Sequence, residues 1–312
     1  MILVTGGAGF IGRWVVKKLI SQKRDVVVLD NLSNGQKKNL EEFNDNMCLI
    51  EIIVGDIKNK DLVEKLFAKY KFKFCIHLAA QINVQESLDY PSRAFENNVL
   101  GTFNILEAAL KHNTKIILIG TCMVYNFANS HKAISENHEL KPTSPYAGSK
   151  LAAEELALSY FYGLKLPVVI LRPFNTYGPF QKANMEGGVV SIFVKRKLNN
   201  KKLKVFGDGT QTRDFLYVED CAEFIVLASE SENAIGQIIN AGTGKDISIN
   251  DLARIIVGDK DRIEYVDHQH PQSEIKKLVC DNSKAKEVLN WEPKTSLEEG
   301  ISKLENWLKE YG

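Results

Sequence analysis

The sequence predicts an α/β fold, a doubly wound parallel sheet with a smaller C-terminal lobe, and three observations carry that expectation. Short β-branched runs alternate with longer helical patterns through the first half of the chain. The runs are continuously apolar, the signature of strands covered on both faces. A glycine-rich turn follows the first run directly and opens a helical pattern.

The strand-like runs are Ile2-Leu3-Val4, Val26-Val27-Val28-Leu29, Leu49-Ile50-Glu51-Ile52-Ile53-Val54, Phe74-Cys75-Ile76-His77-Leu78, Ile116-Ile117-Leu118-Ile119 and Val168-Val169-Ile170-Leu171. Between most of them apolar residues recur at three- and four-residue spacing, as in Leu62, Leu66 and Tyr70 after Asp61. Folds of this kind bind ligands at the carboxyl ends of their strands. After Arg172-Pro173 the pattern loosens: glycines cluster at Gly187-Gly188 and Gly207-Asp208-Gly209, and the helical stretches shorten. The expected organisation is a larger domain over 1–172 and a smaller lobe from 173–213 and 244–312. Residues 214–243 are expected to return to the larger domain, because Gln237-Ile238-Ile239-Asn240-Ala241 reads as another strand. An amphipathic helix is expected at 296–311. With no internal repeat or flexible linker, the two lobes are expected to pack together.

At 312 residues, with 44% hydrophobic and 25% charged content, the chain is long enough to bury a full core. Forty basic residues against 39 acidic ones give a net charge of +1, which removes any global pull toward nucleic acid or a membrane surface. The lysine-rich spot Lys201-Lys202-Leu203-Lys204 is local. No apolar run approaches the ~20 residues that span a bilayer, and the segment from Met1 to Gly6 has neither a basic leader nor a cleavage site. Cys48, Cys75, Cys122, Cys221 and Cys280 are scattered and form no CxxC pair. That pattern predicts reduced thiols in the cytoplasm and no structural metal site.

Thr5-Gly6-Gly7-Ala8-Gly9-Phe10-Ile11-Gly12 links the first strand to the first helix in the Rossmann arrangement. Gly6 turns the chain tightly, Gly9 lets the backbone approach a pyrophosphate, and Gly12 permits close helix–strand packing. The phosphates then meet the amide groups at the helix amino terminus. Asp30 ends the next strand, where a carboxylate accepts hydrogen bonds from the adenosine ribose and repels a 2′-phosphate, so NAD is expected rather than NADP. Asp56, in Val54-Gly55-Asp56-Ile57, is placed to reach the adenine, and Leu78-Ala79-Ala80 offers small side chains where the cofactor crosses the sheet. Both stretches also fit plain strand-to-loop turns.

Ser144-Pro145-Tyr146-Ala147-Gly148-Ser149-Lys150 is the most informative segment. Ser144 suits a helix cap and Pro145 the first turn. Tyr146 and Lys150 then share a helical face. An ammonium near a phenol favours the phenolate, which lowers the tyrosine pKa toward neutrality and makes it a general base. A surface tyrosine packed beside a lysine stem has the same spacing. The dinucleotide turn, together with Thr121 at the end of the fifth strand, favours catalysis.

These motifs, with Asp30-Asn31-Leu32-Ser33-Asn34-Gly35, His77-Leu78-Ala79-Ala80, Asn98-Val99-Leu100-Gly101-Thr102, Arg172-Pro173-Phe174-Asn175-Thr176-Tyr177-Gly178-Pro179 and Gly207-Asp208-Gly209 before Arg213-Asp214-Phe215, make the chain similar over its whole length to the extended short-chain dehydrogenases/reductases of the nucleotide-sugar epimerase/dehydratase kind. The resemblance implies that Tyr146 takes the proton of the sugar 4-hydroxyl while hydride passes from carbon 4 to NAD⁺. It also implies that Thr121 hydrogen-bonds that oxygen and that Lys150 holds the nicotinamide ribose. The cofactor set it implies is Gly6, Gly9, Phe10, Ile11, Gly12, Asp30, Asn31, Asn34, Asp56, Ile57, Leu78, Ala79, Ala80, Asn98, Tyr146 and Lys150. A nucleotide-diphosphate sugar is the implied partner, bound in the second lobe. Asn175 and Arg213 would meet its pyrophosphate, with Gly188, Val189 and the 268–274 loop, including His270 and Glu274, around its nucleotide. A guanidinium suits phosphate oxygens, though Arg213 also fits an ion pair with Asp214. Relatives commonly dimerise through the helix carrying Tyr146 and the one before the fifth strand, where Phe103, Leu106, Leu156 and Tyr160 fit either that interface or the core.

The 4-keto sugar has two common fates, return of hydride to carbon 4 by an epimerase or loss of water across carbons 5 and 6 by a 4,6-dehydratase. Elimination needs an acid and a base beside the sugar. Many dehydratases of the family supply an Asp-Glu pair after the catalytic threonine, where this chain has Cys122-Met123. Met123 cannot carry a proton and packs against sugar or core. A Cys122 thiol with a near-neutral pKa would serve as acid and base, while a small buried hydrophobe is the other reading. His131, Glu136 and His138 lie nearby in sequence. The run from Thr121 to Tyr125, with Asn175 to Lys182, Glu186 to Val190 and His270 to Ile275, most resembles the GDP-N-acetylglucosamine 4,6-dehydratases of bacterial legionaminic acid synthesis. A 4,6-dehydratase using Cys122 is thus the leading expectation and a 4-epimerase the alternative. A non-catalytic NAD-binding sensor is disfavoured by the intact Thr121, Tyr146 and Lys150.

Overall fold

Most of the apolar runs become buried strands because helices cover both of their faces, whereas the run at 49–54 forms a sheet edge with Ile50 and Val54 exposed. In a computed structural model that describes residues 1–126, 132–183, 188–267 and 275–312, the first-half strands are β1 (Ile2–Thr5), β2 (Val26–Asp30), β3 (Leu49–Val54), β4 (Phe74–His77), β5 (Lys115–Ile119) and β6 (Val168–Pro173). Short strands follow: β7 (Asn175–Tyr177), β8 (Leu203–Phe206), β9 (Thr212–Arg213) and β10 (Phe215–Tyr217), then β11 (Ile238–Ala241), β12 (Ile247–Ser248), β13 (Ile263–Val266) and β14 (Lys277–Leu278). The helices are α1 (Phe10–Ser21), α2 (Lys60–Tyr70), α3 (Val84–Asp89), α4 (Pro91–Phe95), α5 (Gly101–Lys111) and α6 (Pro145–Leu164). Beyond them come α7 (Val189–Leu198), α8 (Val218–Glu230), α9 (Ile249–Val257), α10 (Ser283–Leu289) and α11 (Leu297–Tyr311).

The central sheet has seven strands in the order β11-β6-β5-β4-β1-β2-β3, paired in parallel throughout. The chain winds outward from β1 to β3, then crosses to β4 on the other side of β1 and winds out to β11. The reversal leaves a crevice at the carboxyl ends of β1 and β4. Successive side chains point to opposite faces of a strand, and both faces here are apolar. Val4, Val28, Ile76 and Ile117 pack with Trp14, Val15 and Leu19 of α1 and Phe224 and Ile225 of α8. On the other face Leu3, Val27, Leu29 and Leu118 pack with Phe67 of α2, Ile105 of α5 and Ala153 and Ala157 of α6.

Local chemistry sets the helix ends. The Ser144 hydroxyl accepts from Ala147 N at 3.2 Å and Pro145 occupies the first turn of α6. The Ser296 hydroxyl caps α11 in the same way, through Glu299 N at 3.1 Å. Between α4 and α5 the helix widens to a π turn over Glu96–Leu100, an irregularity common near functional sites. After β6 the sequence pattern loosens because the strands are two- to four-residue ribbons. They pair as β7 with β10, β8 with β13, and β9 between β12 and β14. Among the described residues no helix is long and apolar enough to cross a membrane.

Leu3 is fully buried at the sheet centre, so Leu3→Ala is expected to cost about 2–5 kcal/mol. A urea titration would read this as a lower midpoint at unchanged slope.

Candidate active site

The crevice opens into a cleft of about 780 Å³ lined by the ends of β1, β2, β4 and β5 and by α6, within the size range of cofactor sites. Gly6 has φ +69° and lies against Ala79 N, so a side chain there would both strain and clash. A Cβ on Gly12 would collide with the Gly6 carbonyl. No side chain caps α1, and Gly9, Phe10, Ile11 and Gly12 line the cleft at its first turn, as a helix end that receives an anion requires. This glycine cradle fits a dinucleotide pyrophosphate.

Asp30 is buried at the end of β2. Its two oxygens accept from Ala8 N at 3.0 Å and Leu32 N at 2.8 Å, and each keeps a lone pair for a ribose hydroxyl. Burial pushes its carboxyl upward, and the two amide bonds oppose that. Asn31 donates to Asp56 Oδ2 at 3.1 Å, and with Asn34, Ile57, Leu78, Ala79 and Ala80 these residues all border the cleft.

At the crevice floor Thr5 Oγ1 and His77 Nδ1 are 2.7 Å apart, and His77 Nε2 and Thr102 Oγ1 are 3.0 Å apart. The imidazole is 1% exposed. Burial, helped by the charge on Lys150, lowers its pKa to about 3, so it is neutral at working pH.

The trio expected to react lies at the end of β5 and on α6. Thr121, Tyr146 and Lys150 line the cleft. The Thr121 hydroxyl hydrogen-bonds the Tyr146 phenol and caps the turn Cys122–Val124 through Met123 N at 3.2 Å. Lys150 Nζ donates to Ile119 O at 2.5 Å. The expectation of a near-neutral phenol is corrected, because desolvation dominates at Tyr146. Burial pushes Tyr146 up to about 12, and the Thr121 bond only partly offsets this. Burial lowers Lys150 to about 8, against the pull of Glu154.

Cys122 requires a second correction. It does not line the cleft but is 4% exposed in an apolar cluster with Val124, Ile134, Phe174, Ile275, Leu278 and Cys280. Burial pushes its thiol up to about 12, with Arg213 opposing, far from the near-neutral value that proton transfer needs. Met123 packs against the same cluster. Asn98 also differs from expectation. Its side chain accepts from Gln81 N at 2.7 Å and donates to Gln81 O and Ser149 Oγ, clamping the loop after β4 to α6 rather than bordering the cleft.

Asn175, Gly188, Val189 and Arg213 lie outside the cleft wall. Asn175 reaches Asp214 O at 3.4 Å, and Arg213 Nη1 donates to Thr212 O and Ile275 O. The Asp214 carboxylate accepts from Thr243, Gly244 and Cys280. His131, His270 and Glu274 fall outside the described residues. The cleft also takes in Gln81, Asn83, Glu86, Arg93, Asn97, Gln181 and Lys182, which the sequence analysis missed. Among these, Gln81, directly after the expected Leu78-Ala79-Ala80 stretch, and Gln181 and Lys182, at the end of the Asn175 to Lys182 run, carried a positional signal.

A family model described as GDP-mannose 4,6 dehydratase matches residues 3–304. The chain belongs to the NAD-dependent nucleotide-sugar epimerase/dehydratase family. Its relatives within that family include a putative UDP-glucose 4-epimerase of Methanocaldococcus jannaschii, 41% identical over 99% of this chain and 98% of the relative. Pal from Bacillus thuringiensis, a solved structure, is 57% identical with TM-score 0.98, covering 100% of this chain and 99% of the other. The UDP-glucose 4-epimerase of Thermotoga maritima, solved with UDP-glucose, is 34% identical with TM-score 0.92 over 99% and 98%. That of Thermus thermophilus, solved with NAD, is 30% identical with TM-score 0.90 over 100% and 99%. The glycine cradle, Asp30 and the Thr121–Tyr146–Lys150 trio are therefore read in a family with members solved with NAD and with UDP-glucose.

His77 makes the fold acid-sensitive. An unfolded histidine binds a proton near pH 6.5, whereas the native ring binds one only near pH 3. The unfolded state therefore holds more protons between those values. The stability this group contributes is complete above pH 6.5 and is lost as pH falls, by up to about 1.4 kcal/mol per pH unit. Urea titrations at stepped pH should show that slope in the native protein and a shallower one in His77→Asn.

Proposed function

We propose that the protein holds NAD in this cleft and transforms a nucleoside-diphosphate hexose through transient oxidation at carbon 4, leaving the sugar at its original oxidation level. The observation that carries this reading is the Thr121 hydroxyl hydrogen-bonded to the Tyr146 phenol in the cleft wall, one helical turn from the buried amine of Lys150. NAD⁺ supplies the hydride acceptor and, through its cationic ring, a positive charge that favours the phenolate. Tyr146 then removes the 4-hydroxyl proton, and Thr121 orients the oxygen that loses it. Lys150, at 6% exposure, adds positive charge without admitting water.

Of the two fates, inversion at carbon 4 is the one that the surroundings of Cys122 support, because a buried thiol near pKa 12 is a poor acid and base at neutral pH. Met123 carries no proton. The second reading, 4,6-dehydration, is favoured by the family model over residues 3–304. Its finer form, GDP-N-acetylglucosamine as substrate, rests on the motifs at Thr121 to Tyr125, Asn175 to Lys182, Glu186 to Val190 and His270 to Ile275, and would need a proton carrier other than Cys122.

Incubation with NAD⁺ and a panel of GDP- and UDP-hexoses, N-acetyl forms included, in D₂O separates the two by NMR and mass spectrometry. An isomer of unchanged mass without solvent deuterium is expected. Loss of water with a new methyl signal and deuterium at carbon 5 would establish the dehydratase instead. Cys122→Ser should retain turnover within about twofold, the range of an ordinary buried substitution that leaves the chemistry intact. Selective loss of elimination in that variant would return the thiol to the mechanism.

We also propose a cytoplasmic homodimer formed through α5 and α6. Leu106 and Tyr160 belong to the core, whereas Phe103 and Leu156 are only half-buried. Phe95, Leu100 and Tyr162 are exposed nearby on these helices and the turn that leads into them. Light scattering should give twice the 35.1 kDa chain mass, and a monomer would remove the proposal.

A further inference from the structure

A buried ion pair lies beneath the cleft, and the chemistry above does not use it. Glu154 stands on α6 eight residues after Tyr146 and four after Lys150, so the three share one helical face. Glu154 and Arg172 are both 0% exposed. Arg172 Nε and Nη2 donate to Glu154 Oε2 at 2.9 and 2.6 Å, and its Nη1 donates to Tyr125 Oη at 2.8 Å. Glu154 Oε1 has no hydrogen-bond partner. It lies against Gly120, where a Cβ would collide with it, and Gly120 itself lines the cleft. One backbone thickness therefore separates an unpartnered carboxylate oxygen from the site.

Such an oxygen is costly to bury, and an apolar pair of similar volume would often stabilise the interior as well. Stability alone does not account for its presence. We propose that Glu154 is a positioning residue that keeps Lys150 in its ammonium form beside Tyr146. The groups facing Lys150 fit that role. On its own helix stand Tyr146 and Glu154, and from β4 comes the neutral ring of His77, which feels the Lys150 charge; the Arg172 guanidinium of β6 is engaged by Glu154. The nearest acceptor of the amine, Ile119 O, is neutral. Burial favours the uncharged amine, and the Glu154 carboxylate opposes it. Burial also pushes Glu154 upward against the pull of Arg172. Both donors on Oε2 come from the Arg172 guanidinium, a permanent cation that favours the carboxylate form.

The role rests on Tyr146 and Lys150 being the reacting pair, but its test needs no turnover, so a wrong substrate or reaction class leaves the outcome readable. Glu154→Gln removes a negative charge, which lowers the lysine pKa. Mere loosening of the interior would admit water and move the lysine the other way, toward 10.5. Tyr146 falls in either case and does not discriminate. The decisive measurement is the titration of Lys150 by ¹³Cε-lysine NMR in the full chain saturated with NAD⁺, its signal assigned with Lys150→Met. The expected result is a midpoint about one pH unit lower in Glu154→Gln and close to native in Glu154→Asp, which keeps the charge. A midpoint that stays or rises in Glu154→Gln overturns the proposal. Should that variant fail to fold around an unpaired Arg172, Arg172→Met is compared with Arg172→Met carrying Glu154→Leu, so that only the carboxylate differs between them. A lower Lys150 midpoint in the double variant is expected, and equal midpoints overturn the proposal.

Discussion

The site depends on the adjacency of β1 and β4, where the winding of the sheet reverses. Hydrogen bonds lock this junction. Thr5 and His77 are joined side chain to side chain, and Ala79 N donates to Thr5 Oγ1 at 3.2 Å. His77 continues to Thr102, whose hydroxyl donates to Asn98 O at 2.6 Å, and Asn98 grips Gln81 and Ser149. One connected set of polar groups thus runs from the glycine turn to the helix of Tyr146 and Lys150. Fully satisfied networks of this kind rigidify what they join, and here they hold the glycine cradle in register with Thr121, Tyr146 and Lys150.

Burial is the common cause of the site's electrostatics. It raises Tyr146 and lowers Lys150 and His77, in each case favouring the uncharged form. Desolvation thus biases all three side chains toward neutrality, and a charge placed beside them acts with little screening.

What the sequence disclosed was local. The glycine turn, Asp30 and the spacing of Tyr146 and Lys150 are each written within a few residues, and the structure gathers all of them at the cleft. The cap at Ser144 and the start of α6 follow from the same short-range chemistry. What it concealed was set by distant partners. Cys122 is buried by Ile134, Ile275, Leu278 and Cys280, which lie 12 to 158 residues further along the chain. Asn98 is turned from cofactor to scaffold by Gln81 and Ser149. Glu154 had a weak signal, an acidic residue on the same helical face as the catalytic pair, but its partner Arg172 comes from another element. The near-neutral tyrosine foreseen from spacing alone omitted desolvation, which spacing does not encode.

The way Thr121 is mounted bears on how reactions diverge on this scaffold. Its hydroxyl is fixed by the turn it caps, independently of the side chains that follow. Those side chains rest against a wall of aliphatic and thiol groups drawn from the loop at 134 and the strands near 278. Installing a carboxylate at position 122 would place an anion in a wall that is mostly apolar, with the Arg213 charge as its main electrostatic compensation. Retooling the chain toward elimination is therefore a problem of rebuilding a supporting surface, in which two substituted positions after Thr121 would be the last step and not the first.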